Sequence, residues 1–396
     1  MRLAEIKFYF VLFFCFSAIF FFEPVFIPSS LTYYTYILFF LTSILIFITF
    51  SKKSNASFSF PIALILIAQT LAAINATVSW SQDLSESIRA VLPQMSYFLF
   101  FVISTFNLNL KQMEKLILIL GFSYIAVFLF SYLMYPESYF GDMANDDETR
   151  GFQRIRSSGV GFLYLLSFFS LSEYVIKRKY LWLLVYFLTM FCIIMTLSRI
   201  SIICSILLSS IFYFKNSVQN EKYAFPIVLF VLILSLTQTK TYELLVEETI
   251  SQKSYVNDDI RVQSLNYYLK EFSPNTISKI LGNGVPGNPD RLTNNNREYA
   301  KFVSNLENIY HLYISDIGYF GLFVKFGLLS IIAYLIFFYK TVTAKLPLEL
   351  KYSKYFLFFI FLISFIVDAP FNTSYIPSMM LAYYILGVQK NLKSSL

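Results

Sequence analysis

Charge is scarce in this chain: only 14% of its 396 residues are Asp, Glu, Lys or Arg, and it has a single histidine and three cysteines. A water-soluble domain of this length would carry more charge and would show amphipathic stretches, which the long apolar runs here do not provide. Cys15, Cys192 and Cys204 all fall inside such runs, so neither a disulfide framework nor a paired-thiol zinc site is expected. The sequence also lacks a phosphate loop, a dinucleotide fingerprint and a nucleophile elbow. Strict alternation of apolar and polar residues is missing as well. Runs such as 116–135 therefore exclude the strands of a membrane barrel.

What the chain does have is apolar and aromatic mass. Hydrophobic residues make up 57% and aromatics 20%, and the mean hydropathy is +0.61. A backbone in lipid must satisfy its own hydrogen bonds, so the runs are expected to be helices. The expected fold is all-α, a polytopic transmembrane protein with about 12 spans forming one membrane domain over 1–396. The spans fall near 8–27, 32–50, 58–80, 91–106, 116–135, 160–176, 180–197, 200–214, 223–238, 310–338, 354–368 and 374–388. The first follows Arg2 and Lys7 as a signal peptide would, but it is long, has no small-residue cleavage site and reads as a retained span. Two outer segments stand out, the loop 136–159 and a large loop 239–307 between spans 9 and 10, long enough to act as a lid.

The net charge of +7 would point to nucleic acid in a soluble protein, whereas here it reports topology and implies no nucleic-acid partner. Lysines recur in every second loop, at Lys52–Lys53, Lys111 and Lys115, Lys177 and Lys179, Lys215 and Lys222, Lys340 to Lys354, and Lys390 and Lys393. That pattern places both termini in the cytoplasm of a bacterial-type inner membrane. Arginine runs the other way: eight of the ten, at 89, 150, 154, 156, 199, 261, 291 and 297, fall in outer segments. Guanidinium is the better fork for phosphate oxygens, so an anionic ligand on the outer face would explain the bias. Longer outer loops that pair Arg with acids such as Asp146, Asp147 and Glu148 would explain it too.

Arg199, in Thr196-Leu197-Ser198-Arg199, lies between two apolar runs and should sit at the outer membrane surface. A charge at that depth is expensive and marks a functional candidate, or an Arg snorkelling to the headgroups. Glu307 and His311, four apart, would share a helical face and could act as base and orienter. Asp316 and Lys325 are nine apart, too far for a direct pair, so each should face a partner on another helix; with Asp368 they are the chief charges within the spans. Gly318, Gly321 and Gly327 read as a small-residue strip for close helix packing. The glycines of Leu281-Gly282-Asn283-Gly284-Val285-Pro286-Gly287 permit unusual dihedrals or close backbone approach. Asp146–Asp147 resembles the metal-binding acids of some sugar transferases, but among Asn and Glu it reads first as a solvated turn; the pair stays a weak metal candidate, and the site as a whole is expected to work without metal.

Taken in order, these segments resemble the family of O-antigen polymerases and O-antigen ligases. The resemblance rests on Thr196-Leu197-Ser198-Arg199 opening a span and on Arg261 followed by Leu281-Gly282-Asn283-Gly284 in the large loop. Its third element is Asn308, separated by nine residues from Gly318-Tyr319-Phe320-Gly321. The family's ligases place a catalytic His directly before that Asn, where this chain has Glu307. The resemblance implies transfer of a glycan from a polyprenyl-pyrophosphate lipid to an acceptor hydroxyl, inverting and metal-independent, without a cofactor, on the extracytoplasmic face of the membrane. The product would be O-antigen, capsule or exopolysaccharide, and a chain-length regulator and other assembly proteins would be partners beside the bilayer itself. It also implies that Arg199 and Arg261 clamp the pyrophosphate, with Arg154 and Arg156 as secondary contacts, and that Glu307, with His311, handles the acceptor hydroxyl. A ligase-type transferase and a lipid-linked oligosaccharide flippase or transporter remain alternatives. A transporter should show repeat symmetry and mid-membrane charges.

Overall fold

The computed structural model describes residues 3–50, 57–135, 137, 139–143, 155–217, 260–287 and 298–392. Helices α1 (Leu3–Ala18), α2 (Ser29–Phe50), α3 (Ser59–Trp80), α4 (Leu84–Val91), α5 (Leu99–Phe106), α6 (Leu110–Leu133), α7 (Val160–Lys177), α8 (Tyr180–Met195) and α9 (Arg199–Asn216) come first. Three shorter ones follow, α10 (Ile260–Lys270), α11 (Thr276–Leu281) and α12 (Glu298–Asn308). Then come α13 (Gly318–Thr343), α14 (Lys351–Ile363) and α15 (Ile376–Leu392). Among the described residues the one sheet is a two-residue antiparallel ladder, β1 (Asp142–Met143) on β2 (Ile155–Arg156), with Asp142 opposite Arg156.

Six helical stretches among the described residues are long and apolar enough to cross a membrane: Ser59–Trp80, Leu84–Phe106, Leu110–Leu133, Val160–Lys177, Arg199–Asn216 and Ile314–Thr343. Four of them present an exposed apolar face, marked by Val78, Leu133, Ile203 and Leu335. Those faces imply a membrane-embedded protein, since water would not tolerate so much contiguous apolar surface. α7 is the central helix, buried along nearly its whole length and packed on α6, α8, α14 and α15. The apolar run expected at 91–106 begins earlier, because α4, a tighter 3-10 segment at Leu92–Phe98 and α5 continue one another.

Contacts between helix ends define two poles. At one, Lys340 donates to the Ser57 carbonyl, Lys351 to Asn216 Oδ1 at 2.8 Å and Lys354 to the carbonyls of Val342 and Ala344 at 2.8 Å. Lys177 pairs with Glu173 at this pole, and Lys115 lies over the Phe8 ring. The far ends of the same helices form the other pole, which holds Trp80, Arg199, Gly318 and the end of α14. Segments α10 to α12 pack there. α10 lies against α13 and the 3-10 turn Ile314–Ile317, and α11 against α3 and α13.

The expected span 310–338 is not one straight helix. Residues 314–317 form the 3-10 turn, and α13 is broken at Gly327 (φ 71°, ψ −168°). The three glycines accordingly do not form one strip: Gly318 meets the end of α14, Gly321 meets Ile314 and Phe371, and Gly327 meets residues 280–282. A break inside an apolar helix frees carbonyls that lipid cannot satisfy. The Gly282–Gly284 segment satisfies them: the Asn283 N–H donates to the Val324 carbonyl and the Gly284 N–H to the Lys325 carbonyl, both at 2.9 Å.

Asn283 is fully buried and its amide is fully used. Nδ2 donates to the Val324 carbonyl (2.9 Å) and to Ser273 Oγ (3.0 Å), while Oδ1 accepts from Trp80 Nε1 (3.1 Å). Asn75 on α3 donates to the Gly282 carbonyl (2.7 Å) and to Ser278 Oγ (3.1 Å), and Gln82 holds the Val285 carbonyl and the Gly287 N–H. Removing the Asn283 amide would strand several of these groups in a buried site. Asn283→Ala is expected to lower stability by about 2 kcal/mol. Exposed Asn275, which caps α11 through the Ser278 N–H, should lose about 1 kcal/mol when replaced by Ala. Thermal unfolding in detergent would rank the two.

Candidate functional site

At the break in α13 the chain gathers the charges that the sequence scatters. Lys325 sits one step before Phe326-Gly327, partly buried, with its ammonium 4.4 Å from the Phe371 ring centre and in the electrostatic field of Asp368 and Glu307. Asp368 accepts a hydrogen bond from Asn372 Nδ2 (3.1 Å), and Asp316 accepts one from Ser315 Oγ (3.5 Å). Glu307 comes from α12 and also feels Asp316. Four partly buried charged groups from four separate segments thus lie within electrostatic reach of one another, three carboxylates to one ammonium. The expectation that Asp316 and Lys325 face partners on other elements agrees with this, although Asp368 lies 43 residues beyond Lys325 and no spacing in the sequence links the two.

The turn carrying Asp368 is fixed from beneath. Tyr334 on α13 donates to the Pro370 carbonyl at 2.9 Å, and Tyr97 donates to the same oxygen while its hydroxyl meets that of Tyr334 at 2.5 Å. Two buried phenols on one carbonyl are an apolar bundle's means of holding a polar turn. The turn that follows Glu307 is held from α10, where buried Tyr268 donates to the Leu312 carbonyl at 2.9 Å. Around them Trp80 stacks on Tyr299 at 4.5 Å, with Phe272 and Phe302 alongside.

Burial raises the proton affinity of Glu307 above that of an ordinary carboxylate; Lys325 opposes this and Asp316 adds to it. Burial likewise raises the Tyr268 phenol, with the Glu307 charge contributing. A partly buried carboxylate tuned upward in this way can accept a proton from a substrate hydroxyl.

The other expected site residues are placed unevenly. Glu307 and His311 do not share a helical face, because α12 ends at Asn308. The Leu312 N–H turns back to the Leu306 carbonyl, and His311 takes a left-handed conformation (φ 55°) with its ring exposed. Arg199 is the first residue of α9 and partly buried, after a left-handed Leu197 and the Ser198 cap position, where Ser198 Oγ meets Ser201 Oγ at 2.8 Å. Arg261 is exposed near the start of α10. α9 packs on α14, α7 and α8, whereas α10 packs on α13 and its preceding turn, so the two arginines enter the same pole by different neighbours. Arg156 belongs to β2, and Arg154, Asp146–Asp147 and span 223–238 lie outside the described residues. Of the isolated apolar residues in α10, Tyr268 is buried, Leu265 partly buried and Val262 exposed. Among the described residues no group of three His, Cys, Asp or Glu side chains is close enough to hold a metal ion.

Of the residues that organise this pole, Asn75, Trp80 and Gln82 carry no signal beyond being polar or aromatic at the end of an apolar run, whereas Asn283 lies in the glycine-rich segment that the sequence marks out. Fold and site together define a multi-pass helical protein with a charged site at a broken helix. No protein-family model matches the chain, and no curated protein shows significant similarity to it.

Proposed function

We propose that this protein is a polymerase that joins polyprenyl-pyrophosphate-linked oligosaccharide repeats on the outer face of a bacterial cytoplasmic membrane, with both termini in the cytoplasm. One observation carries the reading: Arg199, the large-loop segments and Glu307 all lie at the pole opposite the lysines. Lysine marks the cytoplasmic side. The full count of twelve spans, one of them at 223–238 outside the described residues, belongs to the same proposal.

In this reaction the acceptor hydroxyl oxygen attacks the anomeric carbon of the donor's reducing-end sugar and inverts it. The bond to the pyrophosphate oxygen breaks, the leaving group keeps the electron pair, and the hydroxyl proton passes to the Glu307 carboxylate. Arg199 and Arg261 stabilise the departing charge, and Arg154 and Arg156 add outer contacts. In a strain that supplies the lipid-linked repeat, Glu307→Gln is expected to leave single-repeat glycans in place of a ladder, at unchanged protein level. His311→Ala should keep the ladder, its ring being exposed beyond the end of α12. A full ladder from Glu307→Gln would remove the base and, with it, the polymerase.

A transporter of lipid-linked oligosaccharide is the second reading, favoured by the broken α13, because discontinuous helices are a device of transporters. Lys325 lies seven residues past Gly318, roughly 10 Å into the helix. The carboxylates that influence it lie on segments at one pole, which suits a one-sided enzyme better than a path through the membrane.

A further inference from the structure

Segment 275–287 of the large loop runs down α3 and back. Asn275 Nδ2 donates to Ser79 Oγ (3.1 Å), and Asn75 Nδ2 donates to Ser278 Oγ (3.1 Å) and to the Gly282 carbonyl (2.7 Å). Gly284 reaches further still, since a Cβ on it would fall 2.8 Å from the Ala72 carbonyl oxygen. Each step toward residue 284 is thus a step along α3 away from Trp80. At Gly287 the chain has returned, its N–H donating at 2.9 Å to Gln82 Oε1, beyond the end of α3. We infer that residues 275–287 form a re-entrant hairpin that dips into the half of the hydrocarbon core away from the lysine pole, and that Ile277 and Ile280 on α11 are its contact with the acyl chains of the bilayer.

Two spans measure the depth. Lys340 on α13 donates to the Ser57 carbonyl just before α3, so the two spans share a level at the lysine pole. A hydrocarbon core of about 30 Å takes about 20 residues of helix. Counted from that shared level, its far boundary falls at Thr77 on α3 and at Phe320 on α13. Ala72, which meets Gly284, then lies roughly 8 Å inside the boundary. Gly327, which meets residues 280–282, lies roughly 10 Å inside it. The two rulers agree, although they run along different helices and touch different residues of the hairpin.

The hydrogen bonding fits the same depth. Irregular backbone survives in hydrocarbon only where protein supplies its partners. Gly282, Asn283 and Gly284 are buried, and the N–H groups of the last two go to α13 carbonyls. The Gly284 carbonyl accepts from the Tyr299 hydroxyl (3.3 Å) and the Val285 carbonyl from Gln82 Nε2 (3.1 Å). A loop resting on top of the pole would find water for these groups and would not need buried amides on and after α3. Ile277 and Ile280, three apart and so on one face of α11, are 60% and 52% exposed. The Ile280 carbonyl lies against Gly327, which sets that side chain at the level of the break, where its surroundings are hydrocarbon. Exposed Lys279 has a stem long enough to carry its ammonium up to the headgroups.

The inference rests on the membrane reading and is independent of the polymerase. Its test places a nitroxide on Ile280→Cys, Ile277→Cys and, as the water-facing control, Lys270→Cys, each in the full-length chain in phosphatidylcholine vesicles. The wild-type chain, whose three cysteines are buried, supplies the blank. Collision rates with oxygen and with a water-soluble nickel chelate report the depth of each label. The Ile280 label is expected about 10 Å inside the hydrocarbon boundary and the Ile277 label about one helical turn shallower. The Lys270 label should meet the nickel chelate freely. Nickel access at residues 277 and 280 equal to that at residue 270 would put the segment in water and overturn the hairpin. Labels at 277 and 280 that turn from nickel-accessible to oxygen-accessible only when polyprenyl-pyrophosphate lipid is added would overturn the bilayer contact, giving the face to the isoprenoid chain instead.

Discussion

Gly327→Ala is expected to destabilise the folded protein by about 3 kcal/mol, one of the largest effects of any single methyl group in the chain. The residue's φ of 71° with ψ near −168° belongs to a region that only glycine enters freely. Sterics add to the conformational cost: a Cβ there would stand 2.5 Å from the Leu281 carbonyl carbon and 2.6 Å from the Gly282 nitrogen. These are backbone atoms and cannot rotate away. Gly282, with φ of 90°, meets the same gap from the other side, a Cβ on it falling 2.6 Å from the Gly327 nitrogen. The two residues are therefore halves of one contact. Gly282→Ala should cost a similar amount, and the double variant should cost clearly less than the sum, because the first methyl already separates the segments. Unfolding midpoints of the purified protein in detergent check this. Additive losses would mean that the two glycines serve independent backbone turns.

The glycine pair also shows what a sequence can and cannot disclose. Long apolar runs are a local property, so hydropathy located the six long apolar stretches, and the lysine spacing anticipated the lysine pole. The turn-rich 281–287 segment was legible as a place where backbones could approach closely. Its partner was not, since Gly327 lies 45 residues from Gly282 inside what reads as an uninterrupted helix. A break of that kind is stable only because Asn283 and Gly284 supply the missing donors, and a tertiary partner leaves no mark on local periodicity. The same limit hid the Lys325–Asp368 relation. The shared helical face expected of Glu307 and His311 fails for a different reason: four-residue spacing has meaning only on a continuing helix, and the Leu312 N–H ends this one by turning back to Leu306.

Arg199→Ala should bring the largest functional loss. A helix N-terminus already carries positive potential from its unsatisfied N–H groups, and α9 is 18 residues long. Arg199 adds a guanidinium to that same end, the less favourable end for a cation. Two sources of positive potential at one helix end suit a group that develops strong negative charge, as the departing pyrophosphate of the proposed transfer would. Removing one such stabilising donor set typically costs on the order of a hundredfold in rate, so Arg199→Ala should reduce polymer to single repeats. Arg199→Lys separates charge from shape. Lysine keeps the potential but loses the two-pronged match to phosphate oxygens, and should recover part of the rate with a ladder shorter than wild type. Arg261, exposed on α10, is more accessible to solvent screening, and Arg261→Ala should cost less than Arg199→Ala. The ladder lengths at matched protein levels read all three variants in one gel, and a wild-type ladder from Arg199→Ala would show that the anion is held elsewhere.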